Sequence, residues 1–317
     1  MLDRLISYYE NNTIYGSWLF VGKKGVGKFK TARDLAFHIL AKEYGEQAKA
    51  TFNNHPALKI VQRDITETDK KELDKLFNSK KGEVVTEERI NQSKKNKSIK
   101  IEQIRELIEH ISLTSSSQSR IIIIDSINEL NANAANALLK TLEEPPAKTI
   151  IILICHNPDT VLSTIRSRCR VLRFKPCSDK QITEFLSARY PDLSENEMKI
   201  TAFYADGAIG AAVNFIENDG LDIYRSFQDV IENFPSISYA AVNKTVNDLT
   251  DEKKKDETKI EIFKNFILLT LAARAGRGFS EENIRFYERA ASMLKDSELP
   301  LNIDLKQTLT AILSGNI

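Results

Sequence analysis

The stretch WLFVGKKGVGKF, residues 18–29, decides how the first half of the chain folds. Its first four residues are an apolar run that leads directly into a glycine-rich loop, and the apolar residues of the following segment 31–42 recur at helical spacing. A strand, a glycine-rich loop and a helix in this order are the context in which the sequence G-x-x-x-x-G-K-[ST] binds phosphate. The stretch therefore predicts a phosphate-binding loop within an α/β fold.

The loop departs from that pattern at its last position. Gly22, Gly25 and Gly27 shape the turn and Lys28 supplies the positive charge, but Phe29 stands where a hydroxyl should hold Mg²⁺. A phenyl ring offers Mg²⁺ no oxygen, so we interpret Phe29 as an apolar plug beneath an unused loop. A rearranged metal site is the alternative.

Alternating strands and helices extend this domain. The runs RIIIID and TIIILIC, residues 120–125 and 149–155, are typical of strands buried on both faces of a parallel sheet. ALKIV and VLRF, at 57–61 and 171–174, are further strand candidates. We predict a doubly wound α/β domain over residues 1–175.

A charged segment at about residues 63–98 interrupts this domain. Lysines are interspersed with acidic residues and large apolar residues are few, a composition that favours a solvated insertion. Contact of its lysines with DNA phosphates is the alternative.

Beyond Pro176 the strand signals disappear. Ser178 with Gln181, and Ser194 with Glu197, have the spacing of capping boxes that open two helices. We predict a small three-helix domain over 176–220 and a helical domain over 221–317. The predicted fold class is α/β followed by all-α.

The composition excludes several classes of protein. The 317 residues include 45 Lys and Arg against 44 Asp and Glu, so the net charge of +1 gives no general attraction to polyanions. The segment 1–12 lacks a signal-peptide design, and no apolar run is long enough to span a bilayer. We expect a cytoplasmic protein without membrane contact.

Cysteines and histidines are few and scattered. No CxxC pair occurs, which favours a reduced, intracellular protein without a cysteine zinc site. We interpret the histidines as structural or surface residues rather than ligands. The residues are Cys155, Cys169, Cys177, His38, His55, His110 and His156.

A second requirement for ATP hydrolysis also fails. Asp125 ends the strand RIIIID, where an aspartate that holds the metal belongs, but Ser126 follows it. A neutral hydroxyl cannot act as the general base. The chain is not expected to hydrolyse ATP by itself, and whether Lys28 still binds ATP or ADP weakly without Mg²⁺ stays open.

The segments NANAANALLKTLEEPP and CHNPDTVLSTIRSRC, residues 131–146 and 155–169, closely resemble the clamp-loader AAA+ family of bacterial DNA polymerase III. The resemblance covers about residues 18–174, apart from the charged insertion. It implies an AAA+ module, a three-helix lid and a C-terminal collar domain. LLKTLEEPP and SRC occur in the ATP-hydrolysing tau/gamma subunits as well as in non-hydrolysing subunits, so these motifs alone do not distinguish the two types of subunit.

Four departures from the family pattern distinguish this chain from an ATP-hydrolysing subunit. A tau/gamma subunit would need a hydroxyl at Phe29, a glutamate at Ser126, a sensor threonine near Cys155 or His156 and a sensor arginine near Gly210. The resemblance therefore implies a subunit with no intrinsic ATPase activity and no required cofactor. Many family members carry a cysteine zinc module after the first helix, and this chain has no cysteine there, so we predict no zinc.

One catalytic feature of the family is intact. In clamp loaders the arginine of the SRC motif reaches the ATP site of the neighbouring subunit, and here the motif is Ser167, Arg168 and Cys169. A guanidinium there stabilises charge on the transferred phosphoryl group. The alternative is a salt-bridged surface arginine, and Arg166 is interpreted as a supporting contact.

The resemblance also implies partners. They are the tau/gamma and delta subunits of a hetero-oligomeric ring that opens the sliding clamp and closes it around primed DNA. Two other functions stay open: an active AAA+ ATPase, of tau/gamma type or a helicase loader, and a nucleotide-sensing scaffold outside replication.

Overall fold

The computed structural model describes residues 1–45, 50–64, 98–113, 118–233, 237–250, 257–278, 281–296 and 305–315. The chain forms two compact units, Met1–Lys175 and Pro176–Ile317. The predicted charged insertion lies outside the described residues except at its two ends.

The first unit is built on a sheet of five parallel strands in the order β2-β3-β4-β1-β5. The strands are β1 Gly16–Val21, β2 Leu58–Val61, β3 Arg120–Asp125, β4 Thr149–Cys155 and β5 Arg170–Arg173. Because all five run in one direction, their carboxyl ends meet at one edge, the carboxyl edge, and their amino ends meet at the opposite edge, the amino edge.

Helices cover both faces of this sheet, as the apolar strands predict. They are α1 Leu2–Glu10, α2 Lys28–Tyr44, α3 Ile101–Leu113, α4 Ala132–Glu143 and α5 Ser163–Arg166. Phe20 and Ile152 pack in the cluster that contains residues of α1 and α2, whereas their neighbours Leu19 and Ile151 pack with residues of α3 and α4. The α/β part of the fold class is therefore confirmed.

Local signals place α4 where the sequence predicts it. Asn131 is its N-cap and accepts a hydrogen bond from the backbone N–H of Ala134 at 2.8 Å. The helix ends at Glu143, two residues before Pro145. The chain then returns through the loop to the start of β4.

The second unit contains helices and no strand among its described residues, which confirms the all-α part of the fold class. Its helices are α6 Asp179–Arg189, α7 Glu195–Ala205, α8 Ile209–Glu217, α9 Gly220–Asn233, α10 Tyr239–Thr250, α11 Glu257–Gly278, α12 Glu281–Asp296 and α13 Leu305–Leu313. Both predicted capping boxes form, at Ser178 and at Ser194. The division of this unit at residue 220 stays a prediction.

No helix in the described ranges combines the length and the hydrophobicity that a membrane span requires.

Candidate functional site

The glycine-rich loop at the carboxyl edge has a backbone that only glycine accommodates easily. Gly25 and Gly27 have φ values of 83° and 92°, in the left-handed region. At Gly22, an added Cβ would lie 2.6 Å from the carbonyl oxygen of Phe174, just after β5. The backbone conformation of the loop thus favours glycine at these positions independently of any phosphate.

Lys28, the loop's cation, is bound by the loop itself. The residue is only 3% exposed, and its Nζ donates hydrogen bonds to the carbonyl oxygens of Gly22 at 2.5 Å and of Lys23 at 2.6 Å. Burial lowers the pKa of Lys28 to about 8, and the charge of Asp125 opposes that shift. A phosphate would have to compete with two backbone carbonyls for this ammonium group.

Phe29, at the last position of the loop motif, packs against other residues of the first unit. Its ring is partly buried against the cluster that includes α1 and α2. The guanidinium carbon of Arg33 lies 5.9 Å from the centre of the Phe29 ring and 5.7 Å from that of Phe52. The ring therefore has protein partners of its own at the position where a hydroxyl would hold a metal.

Asp125, at the carboxyl end of β3, is engaged by neighbouring side chains. Gln62 donates from Nε2 to one carboxylate oxygen at 3.0 Å, and Nε2 of His156 lies 3.8 Å from the other. Burial, followed by the nearby charge of Lys28, lowers the pKa of His156 to about 4. His156 is therefore neutral at pH 7, and Asp125 carries the negative charge of the site.

Ser126 adds no catalytic group to this site. The residue is 1% exposed and its Oγ has no hydrogen-bond partner among the described residues. Within those same residues, no group of three or more His, Cys, Asp or Glu side chains is placed to hold a metal ion. The arrangement holds one cation and one carboxylate whose partners are supplied by the chain itself.

Sequence reasoning missed two members of this site, Gln62 and His156. Each follows a strand directly, β2 and β4 respectively, and the carboxyl ends of those strands meet that of β3. That shared edge was the available signal, because ligand sites of open α/β sheets lie there. The resemblance places the family's sensor threonine near His156, but the sequence indicates for the histidine itself no role beyond that of a structural or surface residue.

Arg168 lies in a second group of residues, at the other end of the sheet. Its Nε donates to Oε2 of Glu143 at 3.0 Å and its Nη1 donates to the carbonyl oxygen of Thr164 at 3.0 Å. Its side chain is 30% exposed. Glu143 is the last residue of α4, so this ion pair joins the LLKTLEEPP motif to the SRC motif.

Ser167 and Cys169 hold the turn that presents Arg168. The Oγ of Ser167 donates to the carbonyl oxygen of Thr164 at 3.1 Å, next to the Arg168 bond. Cys169 packs against the cluster that contains residues of α3 and α4, and burial raises the pKa of its thiol to about 12. The thiol is therefore protonated at neutral pH and acts in packing.

The predicted site residues therefore fall into two groups at opposite edges of the sheet. Arg168 precedes β5, whose first residue Arg170 pairs with Trp18 of β1, while the glycine-rich loop follows the far end of β1. The end of α4 is held at the amino edge as well, since the Oγ of Ser17 donates to the carbonyl oxygen of Leu142. Gly210, near which the resemblance places the family's sensor arginine, lies in α8 of the second unit.

Comparisons with known proteins agree with the sequence resemblance. Residues 1–178 match the family model described as "DNA polymerase III, delta subunit". The chain is 31% identical to DNA polymerase III subunit delta' of Bacillus subtilis over 69% of its own length and 59% of the relative's. It is 36% identical to the gamma subunit of Buchnera aphidicola over 38% of its own length and 34% of the relative's.

Both alignments thus span less than two thirds of these relatives. Among solved structures, a gamma-subunit-related protein of Thermotoga maritima aligns over 99% of this chain and 98% of its own, with a TM-score of 0.42 and 17% identity. The RuvB Holliday junction branch migration motor of the same organism aligns over 88% and 80%, with a TM-score of 0.43 and 17% identity.

Proposed function

The chain belongs to the DNA polymerase III delta-subunit family, and from this premise we propose that it is a delta-prime-type clamp-loader subunit without ATPase activity of its own. The relatives named delta' in Bacillus subtilis and Escherichia coli support the type. In this role the chain is a structural wall of a ring, in the cytoplasm, within a DNA polymerase III complex.

The burial and hydrogen bonding of Lys28 are the observation that carries the proposal. Its ammonium group is buried and bonded to Gly22 and Lys23 of its own loop. Phe29 and Ser126 remove the metal ligand and the base that hydrolysis would require. The degenerate site requires no cofactor, binds ATP or ADP at most weakly without Mg²⁺, and has no zinc associated with it.

The chain instead contributes Arg168 to the ATP site of a neighbouring subunit. Charge develops on the phosphoryl group during transfer, and a guanidinium delivered from outside stabilises it. Ser167 and Cys169 support the arginine by holding its turn. The partners are tau/gamma and delta subunits, with the sliding clamp and primed DNA engaged through the complex, while segments 176–220 and 221–317 form the lid and the collar.

The first experiment uses the purified chain alone. We expect no Mg²⁺-dependent release of phosphate from ATP. A measurable turnover that Lys28→Ala abolishes would instead identify an active ATPase. Failure of the chain to assemble with tau/gamma and delta subunits would favour a scaffold outside replication.

The second experiment uses the reconstituted ring. Arg168→Ala should leave assembly intact, as judged by size-exclusion chromatography, and slow ATP turnover at the site that it serves by about tenfold or more. Arg105→Ala, at an exposed arginine of α3, is the matched control and should not change the rate. An unchanged rate for Arg168→Ala would reduce Arg168 to a structural residue.

A further inference from the structure

We propose that Glu143 is a positioning residue for Arg168, an inference that rests on the proposed function of that arginine. Arginine has a long side chain with many rotamers, so its effect on a neighbouring site depends on what restricts it. In this chain the restriction comes from two acceptors on two different helices, the carboxylate of Glu143 at the end of α4 and the carbonyl of Thr164 in α5.

The hydrogen bonds leave one part of the guanidinium available. Nε is directed at Glu143 and Nη1 at Thr164, each at 3.0 Å. Nη2 forms no hydrogen bond to any part of the chain that the structure describes. Because the guanidinium is planar, fixing two of its nitrogens also fixes the direction of the third. The pair therefore presents Nη2 in one orientation.

Glu143 is not explained by the stability of its own helix. A carboxylate in the last turn of a helix faces the negative end of the helix dipole, which is unfavourable. The end of α4 is held at the sheet by Ser17, which donates to the carbonyl oxygen of Leu142 at 3.0 Å. The Glu143 side chain takes no part in that bond, and Arg168 is its one ion-pair partner in the described ranges.

Glu144 provides a matched control. It is the next residue, also an exposed glutamate, and it makes no ion pair within the described residues. Glu143→Gln and Glu144→Gln change the same net charge at adjacent positions. A difference between these variants therefore reports the contact with Arg168 rather than the charge of the region.

The first measurement tests the contact in the isolated chain. The Nε–H proton of Arg168 should give a hydrogen-bonded resonance in ¹⁵N-resolved NMR that exchanges slowly with solvent. Glu143→Gln should shift this resonance and speed its exchange, and Glu144→Gln should leave it unchanged. A resonance insensitive to Glu143→Gln would overturn the proposal, whatever the ring does.

The second measurement is a double-mutant cycle in the reconstituted ring. Glu143→Ala should lower the kcat of ATP turnover about two- to fivefold, the range expected of a partly exposed ion pair, with KM for ATP unchanged. Glu144→Ala, the matched truncation at the adjacent glutamate, should have no effect. In the Arg168→Ala background, Glu143→Ala should slow the reaction no further, because its effect passes through the arginine.

Each remaining outcome has a distinct meaning. If Glu143→Ala slows turnover equally with and without Arg168, Glu143 acts on structure and the proposal fails. If Arg168→Ala slows turnover but Glu143→Ala does not, positioning fails while the proposed function stands. If Arg168→Ala has no effect, the proposed function fails and the positioning role fails with it.

Discussion

The two edges of the sheet differ in how far their charged side chains are engaged by the chain's own groups. At the carboxyl edge Lys28 and Asp125 are satisfied by the chain's own groups, and Phe29 fills the position of the metal ligand. At the amino edge Arg168 is partly exposed, and Glu143 and Thr164 accept hydrogen bonds from two of its three guanidinium nitrogens. At the first edge, which we call the closed edge, Lys28 and Asp125 are engaged by groups of the chain itself, whereas at the second edge Nη2 of Arg168 has no hydrogen-bond partner among the described residues.

The difference shows that the two edges of one sheet can hold charged side chains in two ways, within the chain at one edge and partly exposed at the other. Strand β1 contributes to both edges, through the glycine loop at one end and Ser17 at the other. The predictions below test how far the closed edge serves the fold alone.

The largest effect is expected at Gly22, if the loop is kept for folding. Gly22→Ala would place a Cβ 2.6 Å from the carbonyl oxygen of Phe174, and backbone on both sides must then move. We expect a loss of about 2–4 kcal/mol in the free energy of unfolding, as in other overpacked sites. Urea unfolding followed by circular dichroism measures it.

Gly27 gives the graded control for that prediction. A Cβ there meets no atom within 4 Å, so Gly27→Ala adds only the strain of its positive φ, about 1–2 kcal/mol. Equal losses for the two variants would contradict a packing role for Gly22. A wild-type stability for Gly22→Ala would show that the loop is not constrained by the end of β5.

The next effect concerns acid. The folded chain protonates His156 only near pH 4, whereas the ordinary pKa is 6.5, so the unfolded chain binds the proton first as pH falls. Stability should therefore decrease as pH drops through that window, by about 2–3 kcal/mol at its lower end. Urea unfolding at several pH values, compared with His156→Asn, measures this contribution.

His156→Asn should flatten the dependence between those two pH values, and His110→Asn, outside the site, should retain it. If the wild type and His156→Asn lose stability in parallel, the closed edge does not hold His156 neutral.

The smallest effect is expected from restoring the catalytic residues of the closed edge. Phe29→Thr with Ser126→Glu returns a hydroxyl and a carboxylate, but Lys28 stays bonded to Gly22 and Lys23 and both sensor positions stay unfilled. We expect no ATP hydrolysis above background by the isolated double variant, and a wild-type rate in the reconstituted ring. Turnover by the isolated variant would show that the loop opens readily.

Much of the fold could be predicted because its signals are local. The isoleucine runs of β3 and β4 and the caps at Asn131, Ser178 and Ser194 act within a few residues. The family's motifs also marked most residues of both candidate groups, but not Gln62. The charged insertion, by contrast, lies almost entirely outside the described residues.

The contacts that define each group could not be predicted in the same way. Lys28 has a flexible side chain, and whether its ammonium group stays available for a phosphate or bonds to two backbone carbonyls depends on the shape of the folded loop. Arg168 and Glu143 are 25 residues apart and meet only once α4 and α5 have packed. The sequence anticipated a surface salt bridge for Arg168 as an alternative but did not identify the carboxylate.

The outermost strands of the sheet restrict how another chain could pair with it. Among the described strands, β5 and β2 are outermost, and each has only four residues. In β5, Arg170 and Arg173 are exposed and charged, features that discourage a foreign strand from adding to the row of backbone groups. Another chain that contacted β5 would therefore have to meet it through side chains rather than through a shared ladder of backbone hydrogen bonds.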